Sequence, residues 1–252
     1  MKLPSANWLK GRLVDLVCRP GNQLHGVPGV DTFRTLMFTA NQIAKQNPAA
    51  LSSLICAILR PEQSELLLGA GERGQDACEK VDGYSFFFES LWDVYETTEL
   101  RPIKREPSHH RILLARDLVL PCPWNSGRYI DALSNIGEGK IDQDGADLKN
   151  YGGRWRQDDN HAVELWLPWR IGFVTGGNHS IAAGILAGEG SLIPHRVYDF
   201  DFIFDCVTCD GREYRFGGSR EKMVPVKDVR RAAVFEIGRL IALARSRSVS
   251  SQ

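Results

Sequence analysis

The segment VTGGNHS gathers two glycines, an amide, an imidazole and a hydroxyl in one short run: Gly176, Gly177, Asn178, His179 and Ser180. Glycine lets the backbone adopt positive φ and approach a ligand closely. A helix that begins directly after such a turn presents unpaired N–H groups and a positive partial charge. The run therefore predicts a binding site for an anion such as a phosphate.

His179 and Ser180 are the candidate catalytic residues of this turn. An imidazole titrates near neutral pH, so His179 can bind phosphate as imidazolium or act as a general acid or base. Ser180 carries the hydroxyl of a nucleophile, although the sequence assigns no base to it. The structural alternative is that the glycines make a turn and that His179 or Ser180 only caps the helix.

Hydrophobic patterns place this turn between a strand and a helix. AVELWL and RIGFVT are apolar, strand-like runs separated by Pro168-Trp169, and HSIAAGILAGE is helical. Upstream, RILLARDLVLP predicts one or two strands, and a short helix follows with Asn125 or Ser126 as its cap. Downstream, FIFDCVTCDGREYRF predicts a hairpin around Asp210-Gly211. A long C-terminal helix follows, with Pro225 in its first turn.

The first third of the chain predicts packed helices. Asp31 is the expected N-cap of DTFRTLMFTANQIAKQ, and a second helix begins at Asn47-Pro48 and ends at Pro61. A third helix covers YSFFFESLWDVYETTEL, whose three phenylalanines are expected in the core. The polar connector RPIKREPSHHR then marks a boundary. The fold class is therefore α+β, with a helical N-terminal region over residues 1–105 and a mixed core over residues 112–252.

The order of elements around the glycine turn resembles the ParB/sulfiredoxin nucleotide-binding superfamily. RDLVLPCPWN resembles the opening strand and proline-rich turn, and GRYIDALSNIG resembles the first helix. RIGFVTGGNHSIAAGILAGEGSLIPHRVYD resembles the core turn, helix and return strand. The resemblance covers residues 112–200. It implies a ParB/sulfiredoxin-like core with a nucleoside triphosphate or a nucleic-acid phosphate at the turn, together with Mg²⁺, for which Glu189 is a candidate ligand.

Two departures from this superfamily limit what the resemblance implies. Asn178 stands where the sulfiredoxin turn has cysteine, so reduction of a cysteine sulfinic acid is not expected. Ser180 stands where these families place an arginine. The positive charge for a phosphate then has three candidate sources elsewhere in the chain: Arg170, Arg196 and Arg128.

Composition narrows the possible classes of protein. The 31 basic and 31 acidic residues balance, which excludes a globally basic nucleic-acid coat. No apolar run approaches the roughly 18 residues that span a bilayer, so we expect no membrane partner. Cys206 and Cys209 lie three apart on a predicted strand and should face opposite sides, which argues against a shared metal. Cys18, Cys56 and Cys78 are expected to be reduced thiols in a cytoplasmic, bacterial protein.

Three functions remain open on the sequence. The first is nucleotide-dependent phosphoryl transfer or nucleic-acid processing at the glycine turn. The second is a non-enzymatic protein-binding or regulatory module that uses the N-terminal helices as its partner surface. The third is a metal-dependent nuclease of a mobile-element or defence system, with acidic metal ligands upstream of His179: Asp158, Asp159 and Glu164.

Overall fold

The computed structural model describes residues 28–74, 81–140, 153–217 and 222–249. Within them the fold is α+β, as the sequence predicts. Six α-helices are present in these ranges: α1 Pro28–Gln46, α2 Leu51–Arg73, α3 Leu91–Thr98, α4 Ser126–Asn135, α5 Asn178–Ala187 and α6 Val229–Val249.

Ten strands form three sheets in the same ranges. The strands are β1 Ile103–Arg105, β2 Ile112–Leu113, β3 Val119–Leu120, β4 Ala162–Leu167, β5 Ile171–Gly176, β6 Ser191–Leu192, β7 Arg196–Asp199, β8 Val207–Cys209, β9 Glu213–Phe216 and β10 Lys222–Pro225. The largest sheet has the order β1-β7-β4-β5-β3, the second is β10-β9-β8, and β2 pairs with β6.

The chain divides into two compact units, each assembled from several stretches of sequence. The first unit comprises the described parts of Met1–Ile55, Phe87–Pro102 and Phe200–Gln252. The second comprises the described parts of Cys56–Phe86 and Ile103–Asp199. The division expected from the sequence, residues 1–105 and 112–252, follows chain order, whereas these units interleave. The glycine turn belongs to the second unit, as do β3, β4 and β5.

The second unit is built around β4 and β5, which lie at the centre of its five-stranded sheet. Residues 163–167 of β4 and 171–174 of β5 are buried in unbroken runs, so both faces of the sheet are covered at these strands. They pair antiparallel, with Leu165 opposite Gly172 and Ala162 opposite Gly176. One buried cluster joins β4 and β5 to α4 and α5, and it includes Val163, Leu165, Val174, Ile181, Ala132 and Ile136. The predicted strand–turn–helix arrangement of residues 162–187 is therefore confirmed.

The first unit packs α1 against α6, and aromatic rings gather around Phe235 of α6. Phe88 contacts Tyr214, Phe216 and Phe235 edge-on, with ring centroids 4.8–5.5 Å apart. Edge-to-face contacts of this kind add stability beyond the area that they bury. Phe86, in the second unit, meets Phe173 of β5 in the same manner at 5.3 Å. All three phenylalanines of the FFF run are buried, which confirms that they are core residues.

A buried ion pair, Arg239 with Glu236, lies next to this aromatic cluster. Arg239 Nε donates to Glu236 Oε2 over 2.6 Å, and both side chains are almost completely buried. The Arg239 guanidinium also donates to the carbonyl oxygens of Phe204 and Val207. Glu236 Oε1 accepts from the backbone N–H of Cys209 over 2.8 Å. Because every charge has partners, the pair fixes α6 to β8 without leaving an uncompensated buried charge.

Several helix boundaries predicted from the sequence are wrong. Helix α1 begins at Pro28, so Asp31 lies in its first turn and is not the N-cap. Helix α2 runs through Pro61 to Arg73. Proline there removes one intrahelical hydrogen bond, but the residues beyond it are buried and Gln63 Nε2 donates to Val119 O over 2.6 Å. Tertiary packing therefore outweighs the local cost of the proline.

The third predicted helix is shorter than expected, and the last one begins later. Helix α3 starts only at Leu91, where Ser90 Oγ accepts from Trp92 N. Pro225 ends β10, and α6 begins after Asp228, whose Oδ1 accepts from the N–H groups of Arg230 and Arg231. In both cases the side chain that caps the helix, and not its hydrophobic period, sets the boundary.

Two other local predictions are confirmed. Asn125 caps α4, because its Oδ1 accepts from Arg128 N over 2.8 Å. The β8–β9 hairpin turns at Asp210-Gly211, where Gly211 adopts a φ of 86°. A Cβ atom on Gly211 would lie 2.5 Å from Phe33 Cγ, so this position requires glycine for packing as well as for conformation.

The cysteines include both free and bonded thiols. Cys56, Cys206 and Cys209 are free, whereas Cys122 is disulfide-bonded. Burial raises the pKa of Cys206 to about 11 and raises that of Cys209 still further, so both are neutral thiols. Cys18 and Cys78 lie outside the described residues. Among the helices of the described ranges, none combines the length and the apolar character needed to cross a membrane.

We expect Arg239→Ala to lower the free energy of unfolding by about 3–5 kcal/mol, because it leaves Glu236 charged and buried without its partner. Urea denaturation followed by circular dichroism measures this loss. Arg245→Ala, at an exposed position of the same helix, is the matched control and should change the free energy by less than about 0.5 kcal/mol. Equal losses in the two variants would contradict a structural role for the pair.

Candidate functional site

The antiparallel pairing of β4 and β5 brings two distant segments together. Because Ala162 lies opposite Gly176, the residues just before β4 meet the residues just after β5. His161 immediately precedes β4, and Ser180 lies in the first turn of α5. Their side chains come within hydrogen-bond distance, with 2.8 Å between His161 Nε2 and Ser180 Oγ. The hairpin thus supplies Ser180 with the imidazole that the sequence did not assign.

Asp158 completes a chain of three polar side chains. Its Oδ1 lies 2.9 Å from His161 Nδ1, and its backbone N–H points at the same nitrogen over 2.8 Å. The carboxylate also accepts from Asn160 N over 2.9 Å, which fixes the loop before β4. The His161 side chain is only 3% exposed, whereas Ser180 is half-buried. The order is therefore carboxylate, shielded imidazole and accessible hydroxyl.

Trp155 forms a wall of this cluster. Its ring centroid lies 4.7 Å from that of His161, and its Nε1 donates to Ser180 O over 2.9 Å. The Trp155 backbone N–H is itself held by Glu189 Oε1 at 2.8 Å, just beyond the end of α5. Both ends of α5 are thereby tied to the segment before β4. The imidazole is held between an indole ring and the first turn of the helix.

The two glycines of the turn are required by packing inside the protein. A Cβ atom on Gly176 would lie 2.7 Å from Asn160 O. A Cβ atom on Gly177, whose φ is 74°, would lie 2.6 Å from His161 Cδ2. The close approach that the two glycines permit is therefore an approach to the loop that carries His161. This contact explains the GG pair whether or not a ligand also binds there.

Asn178 and His179 hold the loop that precedes α4. Asn178 Oδ1 accepts from Cys122 N over 2.7 Å, and His179 Nε2 accepts from Asn125 N over 3.1 Å. Since Asn125 also caps α4, these contacts place the N-termini of α4 and α5 side by side. The predicted ligand-binding roles of Asn178 and His179 stay predictions, and both side chains already have partners in the protein.

An aromatic ring and a cation lie next to these two helix N-termini. Trp124 is 43% exposed, and its ring centroid lies 5.7 Å from that of His179. The Arg128 guanidinium stands over the Trp124 ring at 5.6 Å. The N-cap residue of α5 is Gly177, and within the described part of the chain no side chain caps this helix. Its first amides therefore keep their hydrogen-bonding capacity and positive partial charge.

Both histidines of the site are neutral at pH 7. Burial lowers the pKa of His161, although the nearby carboxylate of Asp158 opposes this effect. Burial also lowers the pKa of His179, and the positive charge of Arg128 lowers it further. A neutral imidazole has one accepting nitrogen. In both rings it already accepts from a backbone N–H, His161 Nδ1 from Asp158 and His179 Nε2 from Asn125. Phosphate binding by a His179 imidazolium is correspondingly disfavoured.

Of the three arginines proposed to supply positive charge, only Arg128 is at the turn. Arg170 lies at the other end of β5, roughly 20 Å along the strand, and approaches Asp117 at 3.6 Å. Arg196 pairs with Glu164 over 3.2 Å within the sheet. The structure therefore does not bring Arg170 together with residues 176–180.

The acidic residues proposed as metal ligands are also dispersed. Asp158 contacts His161, Glu164 contacts Arg196, and Asp159 is exposed. In the ranges that the structure describes, no group of three or more His, Cys, Asp or Glu side chains is placed to hold a metal ion. The nuclease hypothesis stays a prediction.

Sequence reasoning missed His161 as a site residue, although the signal was present. The predicted strands AVELWL and RIGFVT flank the short turn at Pro168-Trp169, which is typical of an antiparallel hairpin. Such a hairpin places the residue before its first strand beside the residues after its second strand. Applied here, this rule would have paired His161 with the glycine turn.

Comparison with known proteins gives a family but no function. A family model described as "Family of unknown function (DUF6710)" matches residues 22–247. No curated protein matches the chain, and no solved structure matches it.

We expect Gly177→Ala to destabilise the protein more than Gly188→Ala. Both glycines flank α5 with left-handed φ values, 74° and 68°, and an alanine there costs about 1–2 kcal/mol. Only Gly177 is crowded, since nothing lies within 4 Å of a Cβ on Gly188. Crowding should add about 1–3 kcal/mol, measured by urea denaturation. Equal losses would show that conformation alone selects glycine at position 177.

We expect His161 and His179 to titrate below pH 6.5, the ordinary value for the side chain. On acidification the unfolded chain takes up protons first, so stability falls as the pH drops below about 6.5 and is unaffected by these groups above it. NMR titration of the imidazole C–H signals measures both pKa values. A value above 6.5 for His161 would mean that the charge of Asp158 outweighs burial.

Proposed function

The chain belongs to the family of unknown function DUF6710, and we propose that it binds a nucleotide, with the phosphate at the N-terminus of α5. The observation that carries this proposal is the adjacency of the α4 and α5 N-termini, next to Arg128 and an exposed Trp124. The activity that follows is nucleotide-dependent phosphoryl transfer or nucleic-acid processing.

The phosphate would be held by backbone amides and one guanidinium. Helix N-termini attract anions because their first N–H groups are unpaired and their dipoles point the same way. Here the N-terminus of α5, which no side chain caps in the described residues, adjoins the N-terminus of α4, where Asn125 already accepts from Arg128 N. The two ends are held together because the side chains of Asn178 and His179 accept from the loop before α4. Arg128 adds a permanent positive charge and planar donors suited to a phosphate. These features support an anion site that does not require a charged histidine.

Trp124 favours a nucleotide over a simple phosphate. A tryptophan exposed at 43% in a folded unit offers a flat apolar surface on which a base can stack. Arg128 lies over the same ring, so a phosphate bound to Arg128 and a base stacked on Trp124 could belong to one ligand. This spacing supports binding of a nucleotide or of a single nucleic-acid strand.

The finer parts of the proposal follow the resemblance to the ParB/sulfiredoxin superfamily. They are a core of that type, Mg²⁺ bound with the nucleotide, and a bacterial, cytoplasmic protein. Mg²⁺ commonly uses one or two carboxylates together with phosphate oxygens and water. Glu189 already accepts from the amides of Trp155 and Glu138, so phosphates and water would supply most of the ligands. The free thiols at Cys56, Cys206 and Cys209 fit a reducing compartment, whereas the disulfide at Cys122 is more typical of an oxidising one.

A thermal-shift screen tests nucleotide binding. The protein is heated with ATP, CTP, GTP, UTP, inorganic tripolyphosphate or short single-stranded DNA, each with and without Mg²⁺. A ligand at about 100 times its Kd should raise Tm by about 5–10 °C, because binding to the native state adds about 2.7 kcal/mol. Arg128→Ala should weaken binding about tenfold or more for every anionic ligand.

Two further variants make the screen specific. Trp124→Ala should weaken nucleotide binding but leave tripolyphosphate binding unchanged, since only a base can stack on the ring. Arg245→Ala removes a positive charge from α6 and is the control for net charge. Absence of any shift would contradict the proposal and favour the non-enzymatic binding module. A shift with DNA and Mg²⁺ that is accompanied by strand cleavage would favour the nuclease.

A further inference from the structure

We propose that a group of arginines in the second unit binds the phosphate backbone of a duplex nucleic acid. The group lies around the carboxylate of Asp117, and we call it the arginine cluster: Arg60, Arg111, Arg116 and Arg170. The inference goes beyond nucleotide binding at the glycine turn and does not depend on it. It concerns the opposite end of β5, where Arg170 lies.

The fold of the second unit assembles this cluster from distant parts of the sequence. Arg170 lies in the turn between β4 and β5. Arg116 and Asp117 lie just before β3, which pairs in parallel with the first residues of β5. Arg111 immediately precedes β2, and Arg60 lies in α2. All of these residues belong to the second unit, so their contacts lie within one compact body.

Hydrogen bonds inside the protein hold the guanidiniums in place. Arg116 Nε donates to Asp117 Oδ1 over 3.3 Å, and Arg170 Nη2 lies 3.6 Å from Asp117 Oδ2. Arg170 Nη2 also donates to the carbonyl oxygen of Arg111 over 3.3 Å. Arg60 Nη2 donates to the carbonyl oxygen of Arg116. Because these long side chains are already partly ordered, a ligand that binds them loses less conformational entropy.

The charge of the arginine cluster is strongly unbalanced. Over the whole chain, 31 basic residues balance 31 acidic ones. In the cluster, four guanidiniums lie around one carboxylate, and no other carboxylate of the described residues lies within 4 Å of any of them. A guanidinium stays protonated at every physiological pH. Since these like charges repel one another, a bound anion relieves the repulsion, and the cluster attracts polyanions.

The cluster presents free donors to solvent. The Arg116 side chain is 73% exposed, and within the described residues it uses only Nε, so both of its Nη groups are open to a ligand. Arg111 is also exposed, and its Nη2 donates to Ser191 Oγ over 2.8 Å. Arg60 and Arg170 are half-buried behind them. The exposed pair can therefore contact phosphates directly, while the other two add positive potential.

The thiol of Cys56 lies within the electrostatic field of the cluster. Burial raises the pKa of Cys56, and the positive charge of Arg60 opposes this effect most strongly. The carboxylate of Asp117 raises the pKa, whereas the charges of Arg170 and Arg116 lower it. Three guanidiniums and one carboxylate thus act on a single side chain. This agrees with the close grouping that the hydrogen bonds show.

Arg170 adopts a backbone conformation that favours glycine. Its φ is 57°, and a Cβ atom in this left-handed region is sterically unfavourable. Glycine would avoid that cost, yet the turn carries a long cationic side chain, and this side chain contacts Asp117 and the carbonyl oxygen of Arg111. Unfavourable backbone conformations of this kind are concentrated at functional sites. The conformation therefore supports a role for the Arg170 guanidinium.

The partner that fits the cluster is a dense and regular row of phosphates. Duplex DNA carries about one negative charge per 1.7 Å of helix axis, so one small surface can neutralise several phosphates together. The planar donors of arginine match phosphate oxygens. The cluster offers no ring for an unpaired base, since Trp169, next to Arg170, is buried. These features favour the backbone of a duplex, without readout of base sequence, over a single strand. An acidic peptide fits less well, because it would have to be ordered on binding.

Fluorescence anisotropy with a labelled DNA duplex tests the proposal on the full-length protein. We expect a Kd of about 10⁻⁶ to 10⁻⁴ M, as is usual for binding that is independent of sequence. If three or four phosphates are neutralised, a plot of log K against log salt concentration should have a slope of about −3 to −4. A second duplex of the same length and different sequence should bind equally well.

Variants assign the binding to the cluster. Arg111→Ala and Arg116→Ala change exposed side chains, and each should weaken binding about threefold to tenfold. Each should also make the salt slope less negative by about 0.9. The double variant Arg245→Ala/Arg247→Ala removes the same charge as the two together, from exposed positions of α6, and should leave the affinity and the slope unchanged. Circular dichroism and Tm show that each variant is folded.

Protection of arginines in the wild type is a second measurement that needs no variant. Phenylglyoxal modifies accessible guanidiniums, and mass spectrometry of peptides gives the rate at each position. The duplex should slow modification of Arg111 and Arg116 and leave that of Arg245 unchanged.

Four results would overturn the proposal. They are no binding of the duplex at low salt, an equal loss in the α6 double variant, no protection of Arg111 and Arg116, and equally tight binding of polyglutamate that depends on Arg116. The last result would assign the surface to an acidic protein instead. Loss of duplex binding in Arg128→Ala but not in Arg116→Ala would place the duplex at the glycine turn and would also contradict the proposal. Nucleotide binding is decided separately by the thermal-shift screen, since Arg116→Ala should leave the nucleotide shifts unchanged.

Discussion

The pairing of β4 with β5 is the constraint on which the candidate site depends. It sets Ala162 opposite Gly176, and this register places His161 beside the first turn of α5. A shift of one residue would turn every side chain of β4 to the opposite face of the sheet and move His161 away from Ser180. Close packing favours this register, because a Cβ atom on Gly172 would lie 3.1 Å from Val163 Cγ1 and one on Gly176 would lie 2.7 Å from Asn160 O. The register of this hairpin therefore sets both the packing of the core and the geometry of the candidate site.

The polar groups of the glycine turn serve two separate purposes. Asn178 and His179 face the loop before α4 and use their acceptor atoms to hold it. Ser180 faces the opposite neighbour, the segment that carries Asp158 and His161. Consecutive residues in the first turn of a helix point about 100° apart, so neighbouring side chains can contact two different segments of the chain. The proposed anion site next to Arg128 and the contact between Ser180 and His161 are consequently compatible.

The first unit contains a buried ion pair, in contrast to the partly exposed polar groups of the glycine turn. Glu236 and Arg239 lie on one face of α6, and their remaining hydrogen-bonding atoms are satisfied by the backbone of Phe204, Val207 and Cys209. Aromatic rings cover the pair, including Phe204 and Phe235 against the Arg239 guanidinium. The pair fixes where β8 meets α6, a position that apolar contacts alone would specify less sharply.

The amino-acid sequence was sufficient to predict the α+β class, the strand–turn–helix at residues 162–187, a cap for α4 at Asn125 or Ser126 and the Asp210-Gly211 hairpin, because each depends on a local period or on the chemistry of one turn. It did not determine that α2 continues past Pro61, since burial of residues far along the helix outweighs a local penalty. That Arg170 lies away from the glycine turn and that His161 lies beside it became visible only in the folded chain. Those distances follow from strand register, which joins residues that no local pattern connects.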